Sequence, residues 1–372
     1  MLSGKEKQDK LIRATDLDAL SCRLSTNASS YFSPPDVYIP NLVESYQSYL
    51  QYCVGYSSIS AGRVLRSSFS RKLPLINKGT YLRTKSIDLI VEKFVEEFKT
   101  CQIISLGGGS DTRCFRILDK YRDGVTYHEI DFPESVKVKK LAIVNSDVLS
   151  NIVNFKAERV NVSSREEFQE LTPSLHTDKY HLSCLDLRHI SIDSNEREQV
   201  LEGIDSKIPT LVLSECVLCY MAPKENEQVL KFWKNFCKHF IAFVIYEPMS
   251  LNDSFGNTMT KNLLERGLNL LTFNHFPNLL ARKEFLADEC SFSRIRLTDM
   301  SNIAGYGTSN LFNPWIEPEE LRRVSQLEIM DEIEEIKLLL EHYCICYSEF
   351  SENNAKTFNG IDNWSWIMAV DK

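Results

Sequence analysis

Gln102-Ile-Ile-Ser-Leu-Gly-Gly-Gly-Ser-Asp-Thr-Arg113 is the stretch on which the fold turns. A β-branched apolar run ends in three glycines, then polar residues, then a helix-like stretch expected from about Asp111 to Tyr121. That is the layout of a strand whose carboxyl end turns tightly into a helix. Glycines there let the backbone come close to a ligand. The next apolar run, Val125-Thr-Tyr-His-Glu-Ile-Asp131, closes on an acid. In a doubly wound sheet these two strand ends are neighbours, and an acid at the second accepts hydrogen bonds from ribose hydroxyls. An adenosine-type ligand is expected.

Outward from this stretch, helix and strand patterns alternate. Ile87, Ile90, Val91, Phe94, Val95 and Phe98 recur at helical spacing before the first strand. Further strands are expected over Tyr180–Leu187, Thr210–Glu215, Ile241–Glu247 and, last, Tyr343–Tyr347. Pro133 marks a helix start. Strands separated by helices argue for an α/β fold: a doubly wound, mostly parallel sheet covered on both faces, its last strand antiparallel. Residues 1–83 read as a helical cap or lid, 84–348 as the core and 349–372 as an extension of one compact unit. Ser25–Pro40 and Ser351–Asn363 look like loops, and Leu327–Leu340 like a helix.

The glycine loop narrows the ligand. The dinucleotide pattern Gly-x-Gly-x-x-Gly fails, because Thr112 stands where the third glycine belongs. Asp111 puts negative charge where a phosphate would otherwise meet a helix amino end. A cationic adenosine compound fits better, and S-adenosylmethionine carries a sulfonium, an amino group and no phosphate. A tight turn with no ligand is the bland alternative, which Asp131 weakens.

Composition sets limits. The chain has 372 residues, 43% apolar and 25% charged, enough for a sizeable core. A net charge of −8 argues against a nonspecific nucleic-acid binder. No membrane span and no signal peptide are expected. Eleven cysteines without a secretion signal read as cytoplasmic thiols. No metal site is expected: Cys216-Val-Leu-Cys219 lacks a second pair, and Cys344 and Cys346 read as packing.

Several motifs, in order along residues 16–347, resemble the leucine carboxyl methyltransferases. They are Asp18-Ala-Leu-Ser-Cys-Arg23, Asn77-Lys-Gly-Thr-Tyr-Leu-Arg-Thr84, Ser105-Leu-Gly-Gly-Gly-Ser-Asp-Thr-Arg113, Glu129-Ile-Asp-Phe-Pro133, Asp186-Leu187, Ser214-Glu-Cys-Val-Leu-Cys-Tyr-Met221, Asn252-Asp-Ser-Phe-Gly256, Leu327-Glu-Ile-Met-Asp-Glu332 and His342-Tyr-Cys-Ile-Cys346. The loop Ser25–Pro40 and the tail after Ser348 depart from that pattern and receive no role. The resemblance implies a class I S-adenosylmethionine-dependent methyltransferase sheet with a helical cap. It implies cofactor contacts at Arg23, Arg83, Gly107, Asp131, Asp186, Leu187 and Glu215. It also implies a substrate, the C-terminal leucine carboxylate of the catalytic subunit of type 2A protein phosphatase. The protein is expected to act as a monomer with no nucleic-acid or membrane partner.

A C-terminal carboxylate is ionised at neutral pH, with an ordinary pKa of about 3.3–3.7. Such a nucleophile needs no general base, and the seven histidines form no acid–base signature. It needs a cation that orients it, and arginine suits this. Arg83 is the first candidate; a surface ion pair is its alternative. Tyr220 is expected to face the substrate, with core packing as the alternative. Glu215 ends a buried strand, where an uncompensated carboxylate is costly. Asp253 can cap the helix that follows it. Competing readings are a transfer-RNA wybutosine-pathway methyltransferase, expected to carry a long propeller domain, and a non-catalytic protein that keeps the cofactor fold.

Overall fold

The computed structural model describes residues 4–156, 158–307, 313–331, 333–352 and 356–371. Glu332 and residues 1–3, 353–355 and 372, parts of the segments set out above, lie outside them. Nine strands form one sheet: β1 Cys101–Leu106, β2 Val125–Asp131, β3 Leu175–His176, β4 Tyr180–Cys184, β5 Thr210–Glu215, β6 Ile241–Pro248, β7 Arg294–Asp299, β8 Tyr343–Phe350 and β9 Met368–Asp371. Their order is β3-β4-β2-β1-β5-β6-β8-β7-β9. The run β4-β2-β1-β5-β6 is parallel. The strands outside it pair antiparallel.

The pleat explains how the sheet is covered on both faces. Alternate side chains point to opposite faces. Along β6, Ala242, Val244 and Tyr246 join one core cluster, while Ile241, Phe243 and Ile245 join the other. All eight residues of β6 are buried. This is the arrangement of a class I methyltransferase sheet, and it sets the reversal of strand order at β1 and β5. A crevice opens beyond the carboxyl ends of strands at such a point.

The cap is helical: α1 Gly4–Ala28, α2 Ile39–Tyr49, α3 Ser58–Ser68 and α4 Pro74–Phe98. Pro74 starts α4 where a missing N–H costs nothing. The 83/84 boundary falls inside α4, which runs unbroken into the core. Two further helices flank the glycine loop, α5 Arg113–Lys120 and α6 Pro133–Asn145.

Five expectations differ from the structure. The loop expected over Ser25–Pro40 is shorter, because α1 runs on to Ala28 and α2 already starts at Ile39. Helix α5 begins at Arg113, not Asp111, because the Asp111 carboxylate accepts from the Arg113 amide at 3.0 Å and holds the turn open. Strand β4 stops at Cys184, since Asp186 caps the short helix Leu187–His189 instead. Leu327–Asp331 is not helical; only Ile333–Glu341 is. Glu328 there accepts from Arg71 at 2.8 Å and Asn77 at 2.9 Å, which ties the segment to α4. Finally, β8 is not the last strand, because the tail adds β9 beside β7. Asp253 does cap the helix Ser254–Glu265, accepting from Gly256 N at 2.8 Å.

Candidate active site

The glycine loop closes on the carboxyl end of β1. Gly107 donates to Ile130 O at 2.7 Å, which binds the loop to β2. Its φ of +65° is a region side chains avoid. A Cβ there would also collide with Val217. Gly109 has φ +41°, and a Cβ on it would run into the Asp16 carboxylate. Beyond the loop lies a cavity of about 360 Å³.

Charged groups from cap and core converge on that cavity. Glu215, at the end of β5, accepts from Arg83 Nε at 2.5 Å and from Arg113 Nη1 at 3.2 Å. Arg113 is 1% exposed. It also donates to Asp88 at 2.6 Å and pairs with Asp111. Arg23 reaches from α1 to Asp111 at 2.5 Å. A continuous chain therefore runs Arg23, Asp111, Arg113, Glu215, Arg83. Burial alone would raise the Asp111 and Glu215 carboxyls, but the arginines outweigh it and hold both below the usual carboxylate range. Both stay ionised. The guanidinium of Arg83 also lies 4.9 Å over the Tyr246 ring.

Asp131 behaves differently. Its Oδ2 accepts from Gly109 N at 2.7 Å and its Oδ1 from Phe132 N at 2.6 Å. Burial, and then the charge of Asp16, push its pKa up to about 7 against those amides. Asp186 is held by Arg188 through Nε and Nη2, both at 2.7 Å. Arg188 in turn reaches Asp9 of α1 at 2.9 Å.

Around the cavity stand Arg13, Arg23, Arg83, Arg113, Arg188 and Arg266, opposed by Asp16, Asp18, Asp111, Asp131, Asp186 and Glu215. Cations and carboxylates match one for one, which suits a ligand carrying separated charges of both signs. No histidine or lysine lines it among the described residues. Leu187, Val217, Met221 and Leu268 supply apolar wall.

The family model for leucine carboxyl methyltransferases matches residues 14–234, a span that contains the glycine loop and every residue of this charge chain. The chain belongs to the leucine carboxyl methyltransferase family. It is 56% identical to leucine carboxyl methyltransferase 1 of Debaryomyces hansenii over 373 residues, covering 99% of this chain and all of that one. It is 50% identical to the Candida albicans protein of the same name, with the same coverage. At greater distance, the Schizosaccharomyces pombe protein is 32% identical over 91% of this chain and 94% of its own. This family member is therefore a methyltransferase.

All eight residues singled out from the sequence line this one cavity: Arg23, Arg83, Gly107, Asp131, Asp186, Leu187, Glu215 and Tyr220. Tyr220 is half-buried, its hydroxyl toward Thr15, and burial raises its pKa. Among the further charged residues of the cavity, Asp16, Arg113 and Arg188 matter most and receive no role from the sequence. Asp16 lies two residues before the Asp18 motif, Arg113 ends the glycine stretch, and Arg188 follows Asp186-Leu187 directly. Adjacency to a recognised motif is the only signal any of them offered. Cys216 and Cys219 are free thiols, and burial pushes Cys216 up to about 12. Cys344 and Cys346 lie buried with their sulfurs 3.7 Å apart. No group of three ligating side chains fits a metal among the described residues.

Proposed function

We infer that this chain transfers a methyl group from S-adenosylmethionine to the C-terminal leucine α-carboxylate of the catalytic subunit of type 2A protein phosphatase, forming a methyl ester. One observation carries the reading. Arg83 commits only its Nε to Glu215; its two terminal nitrogens make no hydrogen bond among the described residues, and a quarter of the side chain faces the cavity (26%). A fixed guanidinium with an open edge is built to grip a carboxylate.

The residues present fit the cofactor. Gly107 and Gly108 line the cavity with backbone alone, so a ligand can come close to the loop. Asp131 ends β2 with acceptors for a ribose diol. Glu215 and Asp111 stay ionised and suit an ammonium. Arg23 and Arg83 suit a carboxylate. Asp186 and Leu187 close the third side. When bound, the cofactor supplies a methyl group activated by its sulfonium.

The chain's own residues do the rest by positioning. Arg83 orients the substrate carboxylate, and Glu215 fixes Arg83 so that the fork does not swing. Tyr220 keeps its proton and can donate a hydrogen bond at the cavity wall. Leu187, Val217, Met221 and Leu268 exclude water, which strips solvation from the carboxylate. No proton has to be moved, in keeping with a cavity without histidine. The test is labelled methyl transfer from S-adenosylmethionine to the purified catalytic subunit. Alkali should release the label as methanol, and a subunit lacking its terminal leucine should stay unlabelled. Alkali-stable label, or equal labelling of the shortened subunit, would overturn the reading.

A further inference from the structure

The cap reaches the cofactor end of the cavity through α1, and one of its side chains holds the glycine loop's backbone. Asp16, on α1, accepts from Ser110 N at 2.8 Å and from Ser110 Oγ at 2.6 Å. Its other oxygen accepts from the Tyr46 hydroxyl of α2. The amide just before, Gly109 N, is held by Asp131. Two successive loop amides are thus gripped by two carboxylates, one from the cap and one from the core. Gly109 has no room for a side chain because Asp16 fills that space.

On these grounds we propose that Asp16 is a positioning residue of the cofactor site, clamping the glycine loop against Asp131 so that the two carboxylates act on the cofactor's ribose end as a pair. The inference rests on the cofactor reading above. Asp131 is faced by Asp16 from α1, Tyr46 from α2 and Lys139 from α6, together with the Gly109 and Phe132 amides. Tyr46 is pushed up by burial and is neutral. Lys139 is already paired with Glu129 at 2.6 Å. Asp16 is the charge that opposes ionisation of Asp131, after burial itself. Ribose hydroxyls favour the ionised form, because they donate to it. With Asp131 titrating at about 7, cofactor binding expels a proton below that pH and none well above it.

The experiment is calorimetric titration of the full chain with S-adenosylmethionine from pH 6 to 8. Wild-type affinity should rise about tenfold across that range, following the ionised fraction of Asp131. Asp16→Asn keeps an acceptor for Ser110 and removes the charge; Asp16→Ser removes the charge with a smaller group. In whichever of these folds, shown by an unchanged circular dichroism spectrum, the rise should shrink to about threefold or less. Asp131→Asn should abolish it. A purely structural role for Asp16 would lower affinity equally at every pH and leave the tenfold rise in place; that result overturns the proposal while the cofactor reading stands. Absence of binding to the wild type at any pH would overturn both.

Discussion

Arg83 and Glu215 divide one task, the first facing ligands and the second fixing the first. Arg83→Lys keeps the charge but loses the planar fork. Single-turnover methyl transfer should fall by about two orders of magnitude, and cofactor affinity by less, if the in-line geometry is lost. A wild-type rate at saturating cofactor and phosphatase would remove Arg83 from that role and leave Arg23 in its place. Asp131→Ala should weaken cofactor binding by about 1.5–3 kcal/mol, measured by calorimetry, since charge-assisted bonds are lost. At saturating cofactor the transfer rate should stay flat from about pH 6 to 8, because Asp131 then affects occupancy alone and no histidine lines the cavity. A one-proton dependence that one histidine substitution removes would contradict this. At this scale the sequence was legible wherever a residue closes a strand: Asp131, Glu215 and Gly107 are marked by the apolar runs before them. Asp16 and Arg113 were not. Asp16 meets its partner Ser110 across 94 residues, and Arg113 meets Glu215 across 102. No local pattern records such a pairing.

Among the elements, the parallel strands were readable because both faces are covered, so apolar residues stand at successive positions, as in Ile103-Ile104, Leu211-Val-Leu213 and Ile241-Ala-Phe-Val-Ile-Tyr246. β7 was missed. Arg294-Ile-Arg-Leu-Thr-Asp299 alternates with a period of two, yet its arginines suggest a surface segment. They are buried instead, Arg294 beside Glu349 at 3.2 Å and Arg296 beside Asp371 at 2.9 Å. Those partners come from β8 and β9, so the strand makes sense only once the tail is in place. The tail carries weight of its own. Phe358 is fully buried, 5.5 Å from the Phe94 ring and 6.0 Å from Tyr347. Phe358→Ala should cost about 3–5 kcal/mol of stability by denaturant unfolding, because it opens a cavity beside α4. A loss under about 1 kcal/mol would mean that the tail merely rests on the core.

Across the whole molecule, α1 links the cap to the site and α4 links the cap to the sheet. Asp16, Arg23, Asp9 and Asp18 tie α1 to Ser110, Asp111, Arg188 and Arg266, and the first three of those ties lie at the cofactor end. Ligand that binds only the closed arrangement must stabilise it by mass action, about 2.7 kcal/mol at a hundred times the dissociation constant. The gain should not be spread evenly. Amides in α1 and in Ser105–Arg113 exchange through openings that undo the cavity, so bound S-adenosylmethionine should slow them. β9 is an edge strand whose residues do not line the cavity. Its amides exchange by local fraying, which the ligand does not touch. Hydrogen exchange with mass-spectrometric readout, with and without cofactor, distinguishes the cases. Slowing in α1 and the glycine loop with β9 unchanged supports a cap that closes as part of cofactor binding. Slowing confined to the loop, with α1 unchanged, would make the cap a fixed cover whose ties to Ser110 and Asp111 hold with or without cofactor.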